Sequence, residues 1–469
     1  MSLLRDYSFT QSDQLQFARL SGDWNPIHMD PVFARRTIYG QVVHGIHIFL
    51  VALNAFLKDP ANPTPSKVYV SFLSPLNLNQ SISVEIGYRD QETLLEVKSN
   101  GQTVTFIRLI IDAELRSVEI KNLKDIDSKG GPDVPHERVF DDLINASCEV
   151  DFFGNTKNVK DSFQWCVQRL GVARVKGLMG LSKFVGMEYP GLHSLFAGFE
   201  LCFSQSNSEA LHFRTERYSI PIAPVKFSLS GLGLEGSLDA FLRPPPYRQD
   251  DMSAISHLVT QAEFSDRRAL IIGGSRGLGE LAAKVIASGG GRVDITYALG
   301  ELDAQGVSQQ INASKVGVCS IHRLNLKEAY EDRLKLLIDR LSPTHIYYFA
   351  SPQIKANKAL KIDKQLLDEY MTFYAEIFGY LCQLVSTCGD VRVFYPSTVY
   401  VSENDQDFRE YIAAKQAGEK LCEKFNARSK RSQFIWKRLP KLQTDQTQSF
   451  VQEPGIQATD TLLDIIRKF

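Results

Sequence analysis

The sequence predicts a multidomain chain: an α+β half in which a long helix is wrapped by antiparallel strands, built twice, followed by a doubly wound α/β domain. Three observations predict it. GIHIFLVALNAFL (45–57) is a nearly unbroken apolar run that gives way to alternating, strand-like stretches. A second passage of the same style, helix first and strands after, occupies 139–246. Beyond RPPPYRQDD the rhythm changes to strands alternating with helices, which implies a parallel sheet.

Bulk properties narrow the function. At 469 residues the chain exceeds one ordinary core, and 43% hydrophobic with 23% charged residues is globular composition. A net charge of -1 without a basic block gives nucleic-acid binding no electrostatic support. Seven scattered cysteines without a C-x-x-C pair argue for a reducing compartment and against a disulfide framework or a zinc site, and no metal is expected. The opening MSLLRDYSFTQSD has an early Asp and no apolar core, and 45–57 is too short to span a bilayer. The expectation is a cytoplasmic enzyme without membrane contact.

In the first segment, 1–120, the helix is followed by strands KVYVSFLSPL, QSISVEIGYR, ETLLEVKSN and QTVTFIRLIID. Ahead of the helix stands SGDWNPIHMDP (21–31). Asp23 and His28 are five residues apart; a helix would splay them, whereas the Asn25-Pro26 turn lets them converge as an acid–base pair. The competing reading makes Asp23 a cap and His28 a surface histidine. KNLKDIDSKGGPDVPHER (121–138) reads as a linker.

The second segment, 139–246, has one helix, DSFQWCVQRLGVARVKGLMGL, then LFAGFELCF, ALHFRTERYSI, PVKFSLSGLGL and SLDAFLRPPP as strands. GMEYPGLH (186–193) echoes GDWNPIH (22–28) with Met187 where Asp23 stood, as in a duplication whose second copy lost its acid.

The third segment, 265–469, opens with strand RRALIIGG and helix LGELAAKVIASGG. RVDITYAL, THIYYFAS and VRVFYPST follow as strands, with helical EDRLKLLIDRL and KQLLDEYMTFYAEIFGYLCQLV between. IIGGSRGLGE (271–280) places Gly273, Ser275, Arg276, Gly277, Leu278 and Gly279 between strand and helix, where a pyrophosphate can approach the backbone at a helix N-terminus. TYALG (296–300) lacks the acid that would bind a ribose 2′-hydroxyl, while Arg276 can meet a 2′-phosphate. NADP(H) is therefore expected over NAD(H); a solvated turn arginine is the competing reading. Ser397 ends a strand, and Tyr411 and Lys415 are four apart on one helix face. A neighbouring ammonium is expected to lower the phenol's pKa.

The Gly-rich loop, Ser397, Tyr411 and Lys415 resemble the short-chain dehydrogenase/reductase family over roughly 265–469. The resemblance implies that the Ser orients a carbonyl, the Tyr moves its proton, and the Lys holds the nicotinamide ribose, so that Tyr411 and Lys415 also belong to the cofactor site. Two departures stand out: FASP (349–352) replaces the family's Asn-Asn-Ala-Gly, and Tyr374 and Glu376 lie where a helix Asn belongs. SGDWNPIHMDPVFA and VVHGIHIF resemble the MaoC-like, type-2 enoyl hydratase family, which has the hot-dog fold, over about 8–115 and more loosely over the second copy. That likeness implies that Asp23 and His28 add water to, or remove it from, a 2-enoyl/(R)-3-hydroxyacyl thioester. The N–H of Gly45 would hold the thioester oxygen, and Asn25 would brace the loop.

Joined, the two halves imply a reductase whose 3-hydroxyacyl product feeds a dehydratase. The expected partners are an acyl thioester on CoA or acyl-carrier protein and a second copy of the chain as a candidate homodimer. Two alternatives stay open: the same steps run in the β-oxidation direction on CoA esters, or a reductase-like half that is a non-catalytic binding or dimerisation module.

Overall fold

The computed structural model describes residues 2–37, 39–89, 92–111, 133–150, 154–205, 208–217, 224–357, 361–429, 431–447 and 456–469. The chain divides into two compact units, Met1–Pro245 and Pro246–Phe469.

The first unit begins with β1 (Ser2–Ser8), α1 (Gln11–Ser21), α2 (Pro26–Met29), α3 (Pro31–Ala34) and α4 (Gly45–Leu57). The strands β2 (Lys67–Phe72), β3 (Ser81–Arg89), β4 (Glu92–Ser99) and β5 (Gln102–Ile110) complete its first half. The second half runs β6 (Ser147–Val150), α5 (Thr156–Ser162), α6 (Gln164–Leu170), α7 (Val172–Lys183), β7 (Ser194–Phe203), β8 (Leu211–Arg217), β9 (Val225–Gly231) and β10 (Leu234–Leu242). All ten strands form one sheet in the order β1-β3-β4-β5-β2-β7-β10-β9-β8-β6, so each half repeats the same order outward from a central β2–β7 pair. That pair is antiparallel, with Lys67 opposite Cys202 and Ser71 opposite Gly198.

Period-two alternation explains the strands. Ile82, Val84 and Ile86 of β3, and Leu95 and Val97 of β4, all point into the core. α4 is buried on nearly all sides, and Ile46, Phe49, Leu50, Leu53 and Phe56 are fully covered within the same apolar cluster as the strands.

Three expectations change. The single helix expected over 161–181 is three helices, because Phe163 leaves helical geometry and Gly171 sits at φ 86°. Of the expected linker, 121–132 lie outside the described residues; beyond them the chain is docked, with His136 N–H donating to Met187 O and His136 O accepting from Leu192 N–H. The GMEYPGLH echo is not the displaced copy of the opening motif. It stands between α7 and β7, after its long helix, whereas Asp23 stands before α4.

The second unit contains α8 (Met252–Ser256), β11 (Arg268–Ile272), α9 (Gly277–Ser288), β12 (Arg292–Tyr297), α10 (Glu301–Ala313), β13 (Val318–Arg323), α11 (Glu331–Leu341) and β14 (His345–Tyr348). There follow α12 (Lys364–Met371), α13 (Phe378–Ser386), β15 (Arg392–Thr398), α14 (Tyr400–Glu403), α15 (Arg409–Arg428), β16 (Gln433–Leu439) and α16 (Ala458–Lys468). The sheet order is β13-β12-β11-β14-β15-β16, and every pairing is parallel. Strand order therefore reverses between β11 and β14, where the Gly-rich loop emerges. A wide π turn, Thr372–Ile377, joins α12 to α13, so the long helix expected over 364–385 is continuous but locally unwound.

Phe49 lies at the centre of the first unit's core, edge-on to Phe199 at 5.2 Å. Phe49→Ala should cost about 3–5 kcal/mol. Urea denaturation of the full chain, followed by hydrogen exchange at α4, measures that loss.

Candidate functional sites

The first site is built by helix ends and turns. α1 stops at Gly22, which sits at φ 76°, and this throws Asp23 inward. Asn25 then caps α2 by accepting the N–H of Ile27, and Pro26 occupies the first helical position. His28 follows within the same short turn. Its Nδ1 faces the carbonyl of Val42 at 2.9 Å; a carbonyl only accepts, so Nδ1 carries the hydrogen and the Nε2 lone pair is free. That Nε2 lies 4.0 Å from Asp23 Oδ2. The expected convergence of Asp23 and His28 across the turn is thus present.

Asp23 is 2% exposed. Its Oδ1 accepts from Asn25 N–H at 3.1 Å and its Oδ2 from the Ser182 hydroxyl at 2.6 Å. Burial pushes the carboxyl upward from its ordinary range, against the pull of His28 and of these two donors. Burial likewise pushes the His28 imidazole down, opposed by Asp23. The pair is thereby biased towards a protonated carboxyl and a neutral imidazole.

Much of the surround comes from the second half of the unit. Asn25 Nδ2 donates to Gly186 O at 2.7 Å and Gly191 O at 3.1 Å, and Trp24 N–H points at Met187 Sδ at 3.2 Å. A Cβ on Gly186 would fall 2.3 Å from Asp23 Oδ1, so only glycine admits the carboxylate there. Gly45 is the first residue of α4, and a Cβ there would fall 2.9 Å from the Phe72 ring.

Sequence reasoning missed Ser182, Gly186, Gln14 and His44. His44 stacks on His28 with ring centroids 3.9 Å apart. Its nitrogens face Gln14 Oε1 at 3.0 Å and Asp23 O at 3.1 Å. Asp23, His28 and His44 each offer a donor atom within 4.8 Å of the others. A cation bound there would have to break one of the two His44 contacts. The VVHG motif was the available signal for His44; Gly186 and Ser182 had none beyond the echo.

In the second unit, Gly273 sits at φ 86° beside Ala350 N, and a Cβ on Gly279 would meet Gly273 O at 2.1 Å. Gly277 begins α9 at φ 60°. The amides of Gly273 and Gly274 are consumed by Thr296, leaving Gly277, Leu278 and Gly279 in the first turn of α9. Arg276, expected to meet a 2′-phosphate, is ion-paired within the unit: Nη1 donates to Asp445 Oδ2 at 3.0 Å.

Ser397, Tyr411 and Lys415 are all buried, and Lys415 Nζ lies 5.6 Å from the Tyr411 ring centroid, but their present partners differ from those expected. Burial pushes the Tyr411 phenol up, reversing the expected direction. Lys415 Nζ donates instead to Pro396 O at 2.6 Å and sits 3.9 Å over the Tyr374 ring, with its pKa pushed down by burial to about 7. Tyr374, noted where the family's helix Asn belongs, reaches Ser351 Oγ at 2.5 Å. Ser397 gives its one hydroxyl proton to Glu419 Oε1 at 2.5 Å, and Arg438 clamps that carboxylate at 2.9 and 2.8 Å. In this arrangement the Ser397 proton is not available to a carbonyl.

Comparison with known proteins locates a MaoC like domain at residues 3–106. A 3-hydroxybutyryl-CoA dehydratase of Methylorubrum extorquens is 32% identical over 82 residues, 16% of this chain and 51% of that protein. An (R)-specific enoyl-CoA hydratase of Aeromonas caviae is 31% identical over 83 residues, 17% of this chain and 60% of that protein. The chain thus spans about half of the first relative's length and three fifths of the second's. Among solved structures, an angucycline C-6 ketoreductase with bound NADP is 17% identical at a TM-score of 0.40, covering 44% of this chain and 89% of its own. An alternative dihydrofolate reductase of Brucella canis complexed with NADP is similar at 17% identity and a TM-score of 0.39, covering 44% of this chain and 88% of its own. Among the described residues no helix is long and apolar enough to cross a membrane.

A carboxyl raised in the folded state favours folding below its unfolded pKa of about 3.9, and that benefit is lost as pH rises through the folded value. Asp23→Asn should therefore match the parent in stability at the acid end and exceed it increasingly as pH rises to neutrality. Urea midpoints measured across that range test the sign; a variant weaker than the parent at pH 7 contradicts it.

Proposed function

We propose that the chain is a bifunctional enzyme acting on acyl thioesters. Residues 1–120 form the catalytic hot-dog repeat, 139–246 its supporting repeat, and 265–469 a doubly wound, NADP(H)-binding short-chain reductase domain. The first unit interconverts (R)-3-hydroxyacyl and 2-enoyl thioesters. The second reduces a 3-oxoacyl thioester to the 3-hydroxyacyl level.

The observation that carries the first half is the buried Asp23 carboxyl 4.0 Å from an imidazole whose Nδ1 hydrogen is already committed. Elimination needs a base for the α-proton and an acid for the departing hydroxyl. His28 Nε2 takes the α-proton, and the C–H pair becomes an enolate whose oxygen is held by the Gly45 N–H at the start of α4. Asp23 protonates the β-hydroxyl, the Cβ–O bond breaks, and water leaves as the double bond forms. The proton held on His28 then returns to Asp23, restoring both groups; hydration is the reverse. Asn25 keeps the loop seated on the second repeat. The reaction classes named for the two matched relatives, a dehydratase and an enoyl hydratase acting on CoA esters, support this reading over 3–106.

For the second half, the first-turn amides of α9 at Gly277, Leu278 and Gly279, together with Ser275, suit a pyrophosphate, and the clearance at Gly273 and Gly279 suits its close approach. When bound, NADPH supplies a hydride. Arg276 would exchange its Asp445 partner for the 2′-phosphate, Lys415 would meet the ribose, and Tyr411 would move the carbonyl's proton. One observation favours a second reading, a nucleotide-binding module without turnover: the Ser397 proton is committed to Glu419.

Substitutions separate the halves. Asp23→Asn should abolish hydration of an enoyl thioester and leave ketone reduction running, and Tyr411→Phe should do the opposite. With a 3-oxoacyl thioester and NADPH, mass analysis of products should show hydroxyacyl and enoyl species from the parent, and hydroxyacyl alone from Asp23→Asn. A parent that binds NADPH yet reduces no thioester establishes the second reading instead.

Cofactor choice is a separate expectation. Arg276→Ala should erode a preference for NADPH over NADH by about 1.5–3 kcal/mol, read as the ratio of dissociation constants by fluorescence titration. Equal affinities in the parent remove the role given to Arg276.

A further inference from the structure

Arg243 follows the last residue of β10 and precedes three prolines, a setting in which a charged side chain is ordinarily solvated. Here it is 8% exposed. Its backbone N–H donates to His193 O at 2.8 Å and its Nε to Ser194 O at 3.3 Å. Its Nη2 is buried and has no hydrogen-bond partner among the described residues, and no carboxylate there lies within ion-pair distance. A guanidinium has five donors in a planar fork, and leaving one buried without an acceptor is costly.

Its position ties it to the acid–base site. The four residues Gly191–Ser194 carry both: Asn25 of the Asp23 loop donates to Gly191 O, and Arg243 donates to His193 O and Ser194 O. Three residues of extended chain reach only about 10 Å. The guanidinium's field is also felt inside the site. After burial and the opposing pulls of Asp23 and Val42, it further depresses the His28 imidazole, and it draws down the Tyr39 phenol that burial raises. Burial brings Arg243 itself down to about 10, so it stays charged at neutrality. Arg243 thus brings a buried positive charge with an open donor to the segment, Gly191–Ser194, on which the Asp23 loop is seated.

We propose that Arg243 binds a carboxylate at the far end of the acyl chain, making the first unit selective for monothioesters of dicarboxylic acids. This deepens, and rests on, the hydratase reading. A carboxylate fits the guanidinium fork and neutralises the buried charge, which a hydrocarbon tail cannot do. The phosphates of a pantetheine arm are a poorer match, because a strongly hydrated dianion is costly to bring to a guanidinium that is only 8% exposed. An arginine that served only the enolate oxygen would act on every acyl chain alike.

The test compares hydration of crotonyl-CoA with that of the CoA monothioester of 2-pentenedioic acid, using the full chain, Arg243→Gln and Arg243→Lys. The parent should favour the carboxylate substrate in kcat/KM. Arg243→Gln should shift the ratio of the two substrates towards crotonyl by about 10- to 100-fold, the span of a charge-assisted hydrogen bond, with partial recovery in Arg243→Lys. Equal losses on both substrates, or a parent that prefers crotonyl, overturn the proposal. Repeating the pair as pantetheine thioesters separates the phosphate source: a loss confined to CoA esters overturns it as well. Equilibrium binding of the same thioesters by calorimetry keeps the proposal distinct from turnover. If nothing is hydrated but the parent still binds the carboxylate thioester more tightly in an Arg243-dependent way, the hydratase reading fails and the carboxylate site stands.

Discussion

The first unit depends on one backbone pairing, the antiparallel contact of β2 with β7. It joins two five-stranded halves into one sheet over one apolar cluster. Gly198 makes the close approach feasible, since a Cβ there would fall 2.3 Å from Val70 O. With the halves joined, Ser182 and the stretch from Gly186 to Ser194 lie against the Asp23 loop. Without that second half, Asp23 would lose Ser182 and much of the cover that shifts its proton affinity. Sheet pairing, more than the local motif, therefore sets the chemistry of the carboxyl.

The parts of this arrangement that were legible in the sequence are those with a local cause. The alternation in SISVEIGYR and ETLLEVKS fixes which side of each strand is buried, and the apolar run of 45–57 marks α4. The Asn-Pro turn betrays the convergence of Asp23 and His28, because turn chemistry acts within four residues. Contacts between residues distant in the chain left no such trace: Ser182 merely follows the helical stretch 161–181, and Arg243 lies in the strand-like SLDAFLRPPP. The echo at 186–193 misled for the same reason. Its glycine and proline resemble the first motif, but its place after α7 makes it a wall of the first loop.

In the second unit the boundary of legibility lies elsewhere. Gly273 and Gly279 are required by backbone approaches that the strand–turn–helix context already implies. The polar network around Lys415 was half visible: Tyr411, Lys415 and Glu419 recur at four-residue intervals along α15, so Glu419 shared their face. What could not be read was Arg438, on β16, which clamps Glu419 and turns it into the acceptor of the Ser397 proton. Nor does spacing predict that the Tyr374 ring would lie under the Lys415 ammonium, a cation–π contact added to the pull of Glu419.

The two halves of the first unit divide the work by charge. Asp23 is tolerable in the interior because Ser182 and the Asn25 amide donate to it and His28 stands close. A second carboxylate in the facing segment would set like charges together, and each would hold the other's proton affinity up. Met187 avoids this. Its thioether lies 3.2 Å from the Trp24 amide, a weak acceptor that keeps the N–H company without adding charge. The second half offers neutral or positive groups around the loop: the Ser182 hydroxyl, the Gly186 clearance, backbone carbonyls turned to Asn25, and the Arg243 guanidinium held by Ser194 O. An acid there would compete with Asp23 for the same donors, and the single ionisation on which acid–base exchange with His28 relies would become two coupled ones.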